Sequence, residues 1–264
     1  MDIAGKRILI TGGSSGIGLE MARRMLQAGG RLVITGRRTA ALGEALAMLA
    51  EAGEVTGLAA DVATSEGRAE TIAASLKALG GLDILVNNAG IVRGGRLEDV
   101  GEDEIRAMIE VDLTAPILLT RAALPALRAS GAGLVVNISS GIGQVALPFY
   151  TTYAAVKAGI AHFGEALRRE LAGEGISVLN AFPTATATPM MASANVPSAG
   201  LESVEEVAAE IVQAIIEDRR EVVRGGPERL ALVARNRTEP DAVDAEMRER
   251  KAAIAERARA HIAL

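Results

Sequence analysis

The run RILITGGSSGIG at residues 7–18 decides the fold, because a short apolar stretch leads straight into a glycine-rich loop that opens a helical pattern. Gly12, Gly16 and Gly18 let the backbone turn tightly and approach a pyrophosphate, whose charge the following helix N-terminus stabilises. The spacing is GxxxGxG rather than GxGxxG, and alone it reads equally well as a turn that packs a helix on a strand. What lies on either side separates the two readings.

Outward from this turn, apolar runs at 7–11, 31–35, 55–60, 84–88, 134–139 and 177–182 alternate with helical patterns at 19–28, 40–52, 66–79, 102–129, 153–172 and 204–217. A shorter strand candidate follows at 221–224. Continuously apolar strands suit a sheet covered on both faces, so the pattern predicts an α/β fold: a doubly wound, Rossmann-type parallel β-sheet of about seven strands with right-handed crossovers. No Pro/Gly/Ser-rich linker divides the chain, and residues 1–264 read as a single domain. At the end, 235–264, Val243, Met247, Ile254, Ala258 and Ile262 form an apolar stripe that predicts an amphipathic helix docked on its own domain or on a partner subunit.

Composition excludes several classes. The chain is 49% hydrophobic and 23% charged, as a packed globular protein should be, and its net charge of -5 argues against non-specific nucleic-acid binding. Cysteine is absent, so there is no disulfide and no thiolate nucleophile, and His162 and His261 alone make no familiar zinc signature. No metal is expected. MDIAGK runs directly into the first strand without the pattern of a secretory signal, and apolar stretches break before a bilayer could be crossed. A cytoplasmic location and no membrane partner are the expectations.

The second strand ends in TGRR, residues 35–38, with Gly36 where an NAD-selective site would offer a carboxylate to the adenosine ribose. Arg37, ahead of Arg38, can instead hold a 2′-phosphate through planar charge-assisted hydrogen bonds; the bland alternative is two solvated arginines at a helix start. NADP(H) is therefore the favoured cofactor, with NAD(H) as the alternative. Asp61 and Val62, after the third strand, suit an adenine edge, and Asp61 alone suits a helix cap equally well.

Four further motifs follow in order: NNAG at 87–90, NISS at 137–140, YAAVK at 153–157, and the Thr188-Pro189-Met190 run. With TGGSSGIG and Asp61-Val62, they give residues 5–190 a sequence that resembles the short-chain dehydrogenase/reductase family in its compact single-domain branch. The resemblance implies that Gly12, Ser14, Ser15, Gly16, Ile17, Gly18, Asn88, Ala89, Gly90, Pro183 and Thr188 line the cofactor, that Thr188 meets its carboxamide, and that Lys157 holds the nicotinamide ribose. The family's interval to the tyrosine selects Ser140 over Ser139.

The chemistry can also be argued from the side chains. A phenol titrates near pH ~10, and Lys157, one turn beyond Tyr153 on the same helix face, favours the phenolate. Tyr153 could then pass a proton to a carbonyl oxygen in reduction and act as base in oxidation, with the Ser140 hydroxyl holding that oxygen. An isolated Tyr/Lys pair at this spacing is more often a half-buried aromatic beside a solvated amine.

Two departures from the family pattern stand out. VDLTAP puts Asp112 at the proton-relay position where Asn is common, so its carboxylate either alters a relay through Lys157 or turns outward; a working relay is our expectation. Pro183-Thr184 replaces the usual Pro-Gly. Residues 190–202, poor in charge, read as a substrate flap, with Met190, Met191, Leu147, Pro148 and Tyr150 as candidate pocket walls. Arg93 reads as a solvated loop arginine.

The expected function is a carbonyl/secondary-alcohol oxidoreductase acting on a small-molecule substrate. A nucleotide-sensing or scaffolding protein of the same fold is the alternative, and an epimerase or dehydratase on nucleotide sugars is disfavoured by the glycine spacing. A homodimer or homotetramer is the expected assembly, built on the small and apolar residues of 102–129 and 153–172.

Overall fold

The computed structural model describes residues 1–194 and 196–264, so Asn195, inside the expected flap, lies outside the described residues. The apolar runs pair in parallel as β1 (Arg7–Ile10), β2 (Arg31–Gly36), β3 (Val55–Ala59), β4 (Ile84–Asn87), β6 (Gly133–Ile138), β7 (Ile176–Phe182) and β8 (Glu221–Val223), in the order β3-β2-β1-β4-β6-β7-β8. The two-residue β5 (Val92–Arg93) stands apart and pairs antiparallel with β9 (Ile262–Ala263).

Helices α1 (Gly16–Gln27), α2 (Thr39–Leu49) and α7 (Val204–Ile216) cover one face of the sheet, where Met21, Met25, Leu42, Leu49, Val207 and Ile211 close over Ile8, Ile10 and Ile34. The other face is covered by α3 (Ser65–Leu79), α5 (Ala115–Ala129) and α6 (Thr151–Glu170), with Ile72, Leu119 and Leu167 over Leu9, Val33, Leu85 and Val135. Both faces of the central strands are thus apolar and dry, which is why their sequences do not alternate. This is the expected doubly wound, single-domain architecture. Its crevice opens where the chain, having built β1 to β3 outward, returns to lay β4 on the other side of β1.

The helical pattern at 102–129 is interrupted. α4 (Glu102–Ile109) passes into a π-helical turn at Glu110–Thr114 before α5 begins. Pro116 has no N–H to give the carbonyl of Asp112 four residues back, so regular α-helix cannot continue through this point. The wider turn swings Asp112 inward, where it is 2% exposed. π-Turns of this kind are often found at functional sites.

The last third also departs from the single helix expected at 235–264. Two helices form, α8 (Gly226–Thr238) and α9 (Pro240–Ala260), with Pro240 starting the second. Val243, Met247, Ile254 and Ala258 are buried against Val92, Val145 and Tyr150 in a third core cluster. Ile262 leaves the stripe and is exposed, because the helix has ended and the backbone pairs with β5 instead. The extension therefore docks on its own domain, over the carboxyl end of the sheet.

Candidate active site

At that carboxyl end lies a cavity of about 600 Å³ lined by the loops after β1, β2, β3, β4, β6 and β7 and by the C-terminal extension. Its first wall is the glycine loop, including Gly12, Ser14, Ser15, Gly16 and Ile17. Gly12 has φ +64 and lies so close to the β4 loop that a Cβ would come 2.9 Å from the Ala89 Cα. Gly18 faces inward beneath the loop, and a Cβ there would stand 2.3 Å from Asn88 Nδ2. That amide donates to the carbonyls of Thr11 (2.9 Å) and Gly12 (3.0 Å), while the Thr11 hydroxyl accepts from the N–H groups of Asn88 and Ala89. Two glycine-containing loops are thus locked together by side-chain-to-backbone bonds, and they leave a bare cradle at the N-terminus of α1.

The end of the cavity expected from the sequence to take the adenosine carries Arg37 and Arg38, both exposed, at the start of α2. Gly36 is buried, and a Cβ there would lie 2.7 Å from Ser14 Oγ, so no carboxylate fits while Ser14 keeps its place. Val62 and Asp61 also line this end. The cap of α3 is Thr64, whose hydroxyl accepts from Gly67 N–H at 2.9 Å; Asp61 instead accepts from Ala63 N–H in a turn before the helix. Of the two roles open to Asp61 in the sequence, the helix cap is taken by Thr64.

At the other end, Ser139 and Ser140 follow β6 and both border the cavity. Ser139 is buried and its hydroxyl is spent on the Lys157 carbonyl at 2.6 Å, which leaves Ser140 to line the cavity with Tyr153 and Lys157 from α6. Lys157 Nζ lies 3.0 Å from Asp112 Oδ1, donates to the Ile138 carbonyl at 3.1 Å, and stands 5.6 Å from the centre of the Tyr153 ring. Asp112 Oδ2 accepts from Ile91 N–H at 3.0 Å. Gly90 fits against this ion pair: a Cβ would sit 2.8 Å from Asp112 Oδ1 and 3.3 Å from Lys157 Nζ. Asp112 therefore turns inward and meets Lys157 directly.

The charges interact strongly. Burial pushes the Tyr153 phenol above its ordinary value, opposed by the Lys157 ammonium and the Ser140 hydroxyl and reinforced by the Asp112 carboxylate. Burial pulls the Lys157 pKa down, but Asp112 and Tyr153 more than offset it and hold the ammonium above its usual range. For Asp112, burial pushes the carboxyl up, with Lys157 and the Ile91 N–H opposing. The favoured state of the pair is the ionised one, because each charge has a partner at hydrogen-bond distance.

Beneath the site runs a ladder of asparagine side chains. Asn87 donates to Asn137 at 2.9 Å, Asn137 to Asn180 at 3.2 Å, and Asn180 to the Ala161 carbonyl of α6 at 2.9 Å. Parallel register puts all three on one row, so an Asn at the same level of successive strands was the available signal.

Pro183, Thr184, Thr188, Met190 and Met191 close the cavity from the β7 side, and Gly16 touches Thr188, whose methyl would lie 3.1 Å from a Cβ there. Leu147 and Tyr150 line it as expected; Pro148 is not among its lining residues. Arg93 is paired with Glu104 at 2.9 Å beside the antiparallel β5, so it is a structural ion pair and not a solvated loop arginine. The residues missed entirely come from the extension: Arg229, Arg250, Ile254, Arg257 and His261. His261 Nε2 bonds the Met190 carbonyl at 3.1 Å and Nδ1 the Tyr150 hydroxyl at 3.0 Å, which makes Nε2 the protonated nitrogen and Tyr150 the donor to Nδ1. Among the described residues no cluster of three metal-ligating side chains occurs, and no helix is long and apolar enough to cross a membrane.

A glycine cradle at a helix N-terminus, joined in one cavity to a Ser/Tyr/Lys cluster, defines a dinucleotide-dependent oxidoreductase class. The family model for short chain dehydrogenases matches residues 6–198, and the chain belongs to the short-chain dehydrogenase/reductase family. It is 32% identical over 226 residues to 3-oxoacyl-[acyl-carrier-protein] reductase FabG of Vibrio harveyi, covering 80% of this chain and 90% of that protein. It is 37% identical over 189 residues to 3-dehydrosphinganine reductase TSC10B of Arabidopsis thaliana, covering 70% of this chain but only 56% of that protein. A short-chain dehydrogenase/reductase from Burkholderia phymatum, solved in complex with NAD, superimposes with a TM-score of 0.84 at 24% identity, over 92% of this chain and 96% of that one, a likeness of fold.

Proposed function

We propose that this chain is an NADPH-preferring oxidoreductase that interconverts a carbonyl and a secondary alcohol, with Tyr153 as general acid and base. The observation that carries the reading is the convergence of Ser140, Tyr153 and Lys157 on the cavity that the glycine loop opens. The residues fit a dinucleotide: Gly12 and Gly16 keep the loop bare, where a Cβ would press on Ala89 and Thr188, and Arg37 lies at the proposed adenosine end without an acidic partner among the described residues. When bound, the reduced nicotinamide supplies the hydride for the carbonyl carbon.

This chain's residues supply the proton and the positioning. The Ser140 hydroxyl donates to the substrate oxygen and holds it beside the phenol. Tyr153 gives its proton to that oxygen as charge develops, so hydride and proton together convert C=O to CH–OH. Lys157 stabilises the phenolate left behind, and Asp112 helps to offset the burial that lowers the Lys157 pKa. Reprotonation passes along the same group: Pro116 leaves the Asp112 carbonyl without its helical donor and open to a water beside Lys157. Arg37 holds the 2′-phosphate and sets the preference for NADPH. Residues 190–202 act as the substrate flap.

The test is a panel of aldehydes and ketones incubated with the enzyme and NADPH or NADH, followed by loss of reduced-cofactor absorbance. NADPH-dependent turnover of at least one member, with Arg37→Ala narrowing the gap between the two cofactors, is expected. Cofactor binding without turnover of any member would favour a sensing role, and tighter binding of NADH would remove the part given to Arg37.

A further inference from the structure

The face that α9 turns to the cavity is cationic. Arg250, Ile254, Arg257 and His261 all line it, and at spacings of four, three and four residues they form one narrow helical stripe. Arg250 and Arg257, seven residues apart, sit about 10 Å from each other along the axis. Neither has an acidic partner among the described residues, whereas Arg235 of α8 is paired with Glu246. Arg229, from α8, adds a third guanidinium. Its Nη2 donates to the Gly141 carbonyl, its buried Nε has no partner, and burial pulls its pKa down with no carboxylate to restore it. The single acidic residue among those lining the cavity is Asp61, which belongs to the adenosine end.

Position assigns this charge to the substrate, not the cofactor. α9 packs on Val92, Val145 and Tyr150, away from the glycine loop. Arg257 is close enough to Tyr150 for its charge to favour ionisation of that phenol, and Tyr150 is in turn coupled to Tyr153, one turn along α6. Arg257 is thus the inner member of the pair and Arg250 the outer. Arg257 is half-buried and Arg250 exposed; an unpaired guanidinium losing water is costly unless a ligand supplies the anion, and its planar fork matches a carboxylate or phosphate.

We infer that the substrate carries an anionic group, a carboxylate or a phosphate ester, which Arg257 and Arg250 hold while its carbonyl meets Tyr153 and Ser140. The inference rests on the oxidoreductase reading above and narrows its substrate class. Arg257 and Arg250 are specificity residues that belong to the extension beyond the last strand of the sheet.

The test compares matched carbonyl pairs with the NADPH-loaded enzyme: linear oxo-acids against their methyl esters, and dihydroxyacetone phosphate against dihydroxyacetone. The anionic member of at least one pair should show kcat/KM about tenfold or more above its neutral partner, and the preferred pair separates carboxylate from phosphate. Arg257→Gln should lose far more on the anion than on the neutral compound and Arg250→Gln less so. Arg248→Gln, the same charge change on an exposed position of α9, should keep the preference. A second measurement is calorimetry of hexanoate against hexanamide, and of glycerol 3-phosphate against glycerol, with the NADP-loaded enzyme. Equal kcat/KM and equal binding within every pair would overturn the inference while leaving the oxidoreductase reading intact, and so would a preference surviving the Arg250→Gln/Arg257→Gln double variant. Anion binding that depends on Arg257 without turnover of any carbonyl would support the anion site and remove the enzymatic reading.

Discussion

The two ends of the cavity are built by different means. At the proposed cofactor end the contacts tie side chains to the main chain of adjacent strand ends: the Thr11 hydroxyl accepts from the N–H groups of Asn88 and Ala89, and the Asn88 amide donates to the carbonyls of Thr11 and Gly12. At the other end they come from an extension outside the sheet, with the His261 ring reaching the Tyr150 hydroxyl and the Met190 carbonyl. Architecture of the first kind, fixed on main-chain positions of the sheet, tolerates little change and is common to many chemistries. The second kind can be rebuilt by altering a few surface residues of one helix, which is how one fold comes to serve different substrates. Lys157 and Asp112 stand at the junction.

Breaking that junction should have the largest effect. Lys157→Ala leaves Asp112 buried without its cation, and denaturant unfolding should register a loss of about 3–5 kcal/mol, with turnover falling about a hundredfold or more in steady-state assays. Gly18→Ala attacks the cofactor end alone. Its methyl would push Asn88 off the Thr11 and Gly12 carbonyls, so NADPH affinity should fall about tenfold in a fluorescence titration. Substrate KM at saturating cofactor should change much less. An equal rise in both would erase the distinction between the ends.

Asp112→Asn sharpens the junction through pH. The carboxylate raises the Tyr153 pKa and Lys157 lowers it, so removing the negative charge should lower it. Reduction needs the protonated phenol; the alkaline limb of the reductive pH profile should therefore move to lower pH. An unchanged profile would mean that Asp112 plays no part in the proton path. The smallest effect belongs to the substrate end: His261→Ala should cost about 1–2 kcal/mol and raise substrate KM with cofactor affinity retained. Burial depresses the His261 pKa below its unfolded value, so its contribution is present above the unfolded pKa and fades as pH falls through the folded one. The variant should lose that part of the acid sensitivity.

The same contrast explains what could be read in the sequence. Strands, crossovers and the glycine loop are local patterns, and TGGSSGIG, NNAG and YAAVK each lie within one turn or one element. The π-turn was not legible because its cause is a pair, Pro116 and the demand of Lys157 for an anion, that meets only in three dimensions. The apolar stripe of α9 was legible as Val243, Met247, Ile254 and Ala258. The cationic stripe beside it was not, because nothing in the order of residues says that Arg250 and Arg257 face a cavity whose reacting groups lie about a hundred residues earlier.

The central claim is that the Tyr153 phenol moves the proton that accompanies hydride. Tyr153→Phe keeps the ring against Lys157 and removes only the hydroxyl, so the decisive measurement is carbonyl-dependent NADPH oxidation by this variant beside the parent, with NADPH affinity determined for both. The expected result is unchanged affinity and turnover reduced by about 10²–10⁴. Turnover within a few-fold of the parent would contradict it.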